Sequence, residues 1–313
     1  MTTTWLISAR AVHLGACLLF FGVFAFDRFV ATAISAHGKT EIGSYWQIRI
    51  RFFNLVLLPI ILLSGIAWFA LVAMTMSGQS LQVEILKTVW TQTQFGMVWK
   101  VRLIFWLAAV IIAMLFHFLI TNISLQKYLV WLQLCFSGIL LGSLAWAGHG
   151  QETSIWHLLA DVLHLLVAGF WPMGLLPFFL LLKKLRQTTE LPRWNLIAAL
   201  VHRFSALSLG SVAVLAATGF INSCFLAGSF SNLFAQIYGR WLLAKIILFC
   251  FAVAIGAVNL LRLKPRLMLE KSQVENPEAA AAQLQFNVQV ELFLAIAVVI
   301  VVAVLGILPP ANH

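Results

Sequence analysis

The chain has 313 residues, of which 62% are apolar and only 10% charged, whereas a soluble domain keeps roughly 25% charged residues on its surface. That leaves too little charge to face water and identifies an integral membrane protein with a mean hydropathy of +0.98. The formal net charge of +10 does not point to nucleic acid, because the basic residues sit in short loops between apolar runs and form no single patch.

A spanning helix needs about 20 mostly apolar residues. On that rule the sequence predicts an all-α, polytopic membrane helix bundle of about eight transmembrane helices, near 9–34, 53–76, 98–120, 128–148, 155–182, 202–224, 240–262 and 288–308. The runs are continuous and not alternating, which disfavours a β-barrel. Between the second and third spans, Leu81, Ile85, Leu86, Val89 and Trp90 recur with a helical period, so 77–97 reads as an interfacial segment. Residues 225–239, mixing Gly, Ser and Phe, read as a second one. No stretch is long enough for a separate soluble domain, so 1–313 reads as a single membrane domain. Arg10 comes late for a signal-peptide n-region and no cleavage site follows, so the N-terminus reads as mature.

Fourteen of the twenty Lys and Arg fall on one side of these spans and six (Arg10, Lys87, Lys100, Arg102, Arg240, Lys245) on the other. The positive-inside rule then places both termini outside the cytoplasm, which for a bacterial inner membrane means the periplasm.

Ionisable groups inside spans are costly and usually face a bundle interior or a cavity. The fifth span carries His157, Asp161 and His164, whose spacings of four and three put them on one face. Trp171 continues the stripe. His157 and His164 are roughly 10 Å apart along the axis, too far to share one metal ion. Adjacent pairs are within reach of one ion, or Asp161 accepts a ring N–H and fixes a histidine tautomer. The same outer half holds His149 in Gly148-His149-Gly150, His13 and Cys17 four apart on the first helix, Met74 and Met76, then Met97 and Cys224. Imidazole, thiol and thioether suit copper better than magnesium or calcium. His149, Asp161, His164, His157 and His13 are the leading metal-ligand candidates, with Cys17, Met74 and Met76 behind them. His37, His117, His202 and His313 read as interfacial polar residues, and Cys135 and Cys250 as small packing residues. Arg203, Arg240 and Lys245 read as structural, by helix-end pairing or snorkelling.

In order, Gly148-His149, Asp161, His164, Trp171, Gly174-Leu175, Arg203-Phe204-Ser205, Thr218-Gly219, Tyr238-Gly239-Arg240, Leu242-Leu243, Lys245, Asn259 and Pro265 resemble the copper resistance protein D (CopD) family of bacterial inner-membrane proteins. The motif-bearing region is 148–265, and the Arg10–His13 start is similar too. Two departures stand out: Pro172-Met173 precede Gly174 where the family commonly has Gly, and Leu260 follows Asn259 where a basic residue is expected. The resemblance implies copper handling, copper passage from periplasm towards cytoplasm, and a separate periplasmic copper-binding partner of the CopC type. Below His164 the stripe offers few ligands, so binding rests on the residues and passage on the resemblance.

Two other readings stay open. Histidines on neighbouring helices also hold b-type haem, and His13, His149 and His164 are the candidates for such axial ligation. A non-transporting copper sensor or assembly factor is the second. An enzyme is not indicated: no GxSxG and no Walker A motif occurs.

Overall fold

A computed structural model describes residues 2–35, 40–119, 123–147, 155–188, 193–227, 231–268 and 277–309. The described residues are almost all helical, without a strand, in the order α1 (Thr2–Phe29), α2 (Thr32–Ser35), α3 (Glu41–Ser77), α4 (Val83–Gln92), α5 (Gln94–Met114), α6 (Ile123–Gly142), α7 (Ile155–Gln187), α8 (Arg193–Ala227), α9 (Asn232–Ala235), α10 (Ile237–Val258), α11 (Lys264–Met268) and α12 (Pro277–Leu305). Eight of these stretches are long and apolar enough to cross a membrane. With no water to satisfy peptide groups in hydrocarbon, continuous helices are what such sequences must form. The eight helices expected from the sequence are present, most of them longer than the apolar runs that announced them.

Several ends are set by local chemistry. Thr40 caps α3 by accepting from the Gly43 N–H at 3.1 Å, and Gly78, at φ 66°, closes it with its N–H on the Met74 carbonyl. Residues 83–92, within the expected interfacial stretch, form the short helix α4. Thr93 then caps α5 through the Gly96 N–H at 3.0 Å. In the second expected interfacial stretch, 225–239, the described residues include the end of α8, the single turn α9 and the start of α10.

Helix α1 is the axis of the bundle and packs against α3, α6, α7 and α12. Its inner half is fully buried from Phe20 to Asp27 apart from Phe21. The approach to α7 is close because both helices present glycine: a Cβ at Gly22 would lie 2.4 Å from the Gly169 carbonyl oxygen. Without a hydrophobic drive between helices in lipid, this small-residue contact is how the pair gains its packing. Phe26 rests edge-on against Trp46 and Phe178, and Asp27 accepts from Trp46 Nε1 at 2.8 Å.

The two ends of the bundle are distinguishable. At one, Lys184 pairs with Glu41 and Arg186 with Glu278 at 2.9 Å. At the other, Arg10 donates to the Gly306 carbonyl at 2.6 Å, so the first and last spanning helices meet at the same face.

Candidate functional site

Of the leading candidates, the described ones (His13, His157, Asp161 and His164) lie in the half of the bundle that holds Arg10 and Gly306, in two separate groups.

The first centres on His13, only 1% exposed. Its ring is admitted by Gly65, whose added Cβ would stand 3.1 Å from His13 Cε1, and it packs between Trp68 and Trp99 at 5.5 and 5.3 Å. His13 Nδ1 lies 3.1 Å from the Ile61 carbonyl and 3.1 Å from Ser64 Oγ. A carbonyl only accepts, so Nδ1 carries the proton and Nε2 keeps its lone pair. That lone pair accepts from Arg102 Nη2 at 2.6 Å. Cys17 Sγ is 3.7 Å from the same nitrogen and 3.6 Å from Arg102. Arg102 also donates to the Leu140 carbonyl at 2.5 Å and Ser143 Oγ at 2.6 Å. Sequence reasoning put Arg102 among the outer basic residues; the structure buries it to 3% exposure, with its guanidinium over the Trp99 ring. Copper could reach His13 Nε2 only by displacing a guanidinium.

The second group lies between α7, α8 and α10. Thr218 donates its hydroxyl proton to the Val214 carbonyl at 2.7 Å, so its oxygen accepts from His164 Nδ1 at 2.9 Å. His164 Nε2 is thereby left with a lone pair, and it points at Lys245 Nζ, 3.4 Å away. Asp161, one turn along α7, accepts from Asn222 Nδ2 at 2.5 Å and stands within electrostatic reach of His157 and Lys245. His157 is fully buried and stacks on Phe225 at 4.8 Å. Lys245, expected to be structural by helix-end pairing or snorkelling, instead turns its ammonium towards His164 and Asp161, which give it a polar place inside the bundle.

The other candidates scatter. Met74 is half-buried and Met76 exposed at the end of α3. Cys224 is exposed, as are Cys135 and Cys250, which face outward and do not fill the packed interior. His149, His37 and His313 lie outside the described residues. Among the described residues no three His, Cys, Asp or Glu come close enough to hold one metal ion. The donor set therefore offers single imidazoles backed by one thiol or one carboxylate. Of the candidates for haem ligation, His13 fits poorly, because Trp68, Trp99 and Arg102 close it in.

Sequence reasoning passed over Asn222 and Glu291. The signal for Asn222 was its place four residues after Thr218, on the same face of α8. Glu291 is an acid inside an apolar run, and that alone marked it.

Together these features define a multi-pass helical membrane protein with imidazoles held in fixed tautomers inside its bundle. The family model for copper resistance protein D matches residues 198–305, and that for the N-terminal domain of copper resistance protein D-like proteins matches 1–158. The chain belongs to the copper resistance protein D family. It is 30% identical over 213 residues to copper resistance protein D of Pseudomonas syringae pv. tomato, covering 65% of this chain and 66% of that protein. It is 36% identical over 129 residues to the copper transport protein CutJ of Bacillus subtilis, covering 40% of this chain and 23% of that one. Both names denote copper resistance or transport, not an enzymatic reaction, and they support a copper-related membrane function.

Proposed function

We propose that this protein carries copper across the bacterial inner membrane, from periplasm towards cytoplasm, with both termini periplasmic. The observation that carries the reading is His164: Thr218 holds its Nδ1–H, Nε2 faces inward, and a cation, Lys245 Nζ, already lies 3.4 Å from it. A copper ion is the substrate that would take the place of that ammonium, with Asp161 offsetting its charge from the next turn. A neutral imidazole whose far nitrogen is hydrogen-bonded is the usual form of a metal-binding histidine. His157, at the outer end of the stripe, and His149 are the entry ligands in this scheme, and a CopC-type protein is the donor. His13 and Cys17 form an auxiliary site that Arg102 keeps closed until copper competes for it, while Met74 and Met76, at the end of α3, stand apart from it. Binding must stay weak enough for release, and ligands strung along a helix meet that need better than a closed cage.

The test is copper flux into proteoliposomes, with copper retention in detergent measured beside it, for the unaltered protein and His164→Ala. Flux and retention both falling at least tenfold in the variant is the expected result. Copper retained by the unaltered protein without any flux would instead mark a sensor or delivery factor, and a Soret band in the purified protein would mark haem.

A further inference from the structure

On the opposite side of Trp171 from the histidines, α7, α8, α10 and α12 line a partly open cleft of about 130 Å³. Its walls are apolar except for Ser205 and Ser208 of α8, Asn259 at the end of α10 and Glu291 of α12. Glu291 is 3% exposed and sits mid-helix in a stretch that spans the membrane. Among the described residues its hydrogen bond is from a neutral group, Asn259 Nδ2, to Oε1 at 2.5 Å. Asn259 is held in turn by Asn287 Nδ2 at 2.7 Å, which is tied to Gln283 at 2.8 Å. The other carboxyl oxygen, Oε2, lies towards Gly256, where an added Cβ would stand 3.9 Å away on the cleft wall. Ser208 Oγ, on the same cleft, is buried without a hydrogen-bond partner. The cleft is mostly apolar, with one polar edge at Glu291 and Asn259 and room there for a water molecule.

Among the described residues, none that line the cleft around the carboxyl carries a charge: α7 brings Trp171, α8 Ser205 and Ser208, α10 Gly256 with Asn259 just after it, and α12 Asn287. Helix α1 meets α12 at Gly15 and Val299, roughly 12 Å further along, where Arg10 is engaged with Gly306. No described salt bridge involves Glu291. A soft copper ion would find only amide, hydroxyl and carboxyl oxygen here, so the cleft is not a continuation of the histidine stripe. Among the described residues this acid, buried in a spanning helix beside a water-sized space, has no cation to pair with, and a proton is the ligand that lets it stay there uncharged.

We infer that Glu291 is a proton-binding site, taking a proton from water in the cleft onto Oε2 and returning it there. The inference is independent of whether copper crosses the protein.

The test is labelling of the purified full-length protein by dicyclohexylcarbodiimide, which adds to protonated carboxyls in apolar surroundings, read by peptide mass spectrometry across a pH series. Label is expected on Glu291 and absent from Glu291→Gln. Its rate should fall tenfold for each pH unit above a single midpoint, as one-proton binding requires. Gly256→Leu, which keeps the carboxyl and fills the cleft, should slow labelling at least tenfold. No label on Glu291, a rate indifferent to pH, or full labelling in Gly256→Leu would each overturn the assignment. Protection by sodium or potassium at fixed pH would overturn it too, in favour of a cation site.

Discussion

Thr218 decides how His164 can act. Its hydroxyl proton is committed to the Val214 carbonyl, so it can only receive from the ring, and one tautomer follows. Thr218→Val keeps the shape and removes that acceptor. Copper affinity measured by competition with a chelator is expected to weaken about 10–100-fold, the usual cost of losing such an outer partner, with the fold intact by circular dichroism. Arg102 makes the opposite case. Arg102→Gln leaves some of the Leu140 carbonyl, Ser143 and His13 acceptors without a donor, at about 1–3 kcal/mol for each group stranded. The thermal midpoint in detergent should therefore fall, while His13 Nε2 becomes available to copper. The sequence made the cost of these residues visible but not their partners. His157, Asp161 and His164 could be placed on one face from spacing alone, since a helix fixes that. That Arg102 on α5 meets His13 on α1, 89 positions away, depends on how two helices are rotated against each other, and no local pattern encodes it. Lys245 misled for the same reason: a lysine in an apolar run snorkels or turns inward according to what the neighbouring helices offer.

At the scale of elements, the membrane made the helices easy to read and their ends hard. Apolar runs mark what must lie in hydrocarbon, but α3 begins at Glu41 and α8 at Arg193, well before their apolar stretches. Once a helix is nucleated inside the bilayer, polar residues continue it at small cost. The α1–α7 contact tests the packing. Gly22→Leu would drive side-chain atoms into the Gly169 backbone, already 2.4 Å from where Cβ would be. Forcing the two helices apart should cost at least the 1–3 kcal/mol typical of overpacking, seen as a lower thermal midpoint or loss of the monodisperse peak in size-exclusion chromatography. Gly210→Leu, on α8 with no atom within 4 Å of its added Cβ, is the control that should leave both unchanged.

Over the whole molecule, eight crossings return the chain to the face it started from, and the Arg10–Gly306 bond joins the first helix to the last. The charge bias predicts which face that is. Alkaline phosphatase fused after Leu308 should be active, and fused after Thr188, beside Lys183, Lys184 and Arg186, inactive. The reverse pattern would invert the direction of copper entry proposed for the histidine stripe. If the orientation is as expected, the histidines and Glu291 lie in opposite halves of the membrane, separated at the level of Trp171.

Helix α10 does not stop at Val258. It passes through a widened turn, Asn259–Leu263, in which the Lys264 N–H reaches back five residues to the Asn259 carbonyl, before continuing as α11. Such a turn holds roughly one residue more than an α-helical turn. Elsewhere in a spanning helix, deleting a residue rotates everything beyond it by about 100° and turns the buried face towards lipid. Here the surplus is already stored as a bulge. Removing the outward-facing Leu261 would spend that slack and let Leu263 and Leu267 keep their seats in the core. This is the one stretch of α10 and α11 where the gene can shorten without scrambling the helix, and the residue that opens it, Asn259, is the one that holds Glu291.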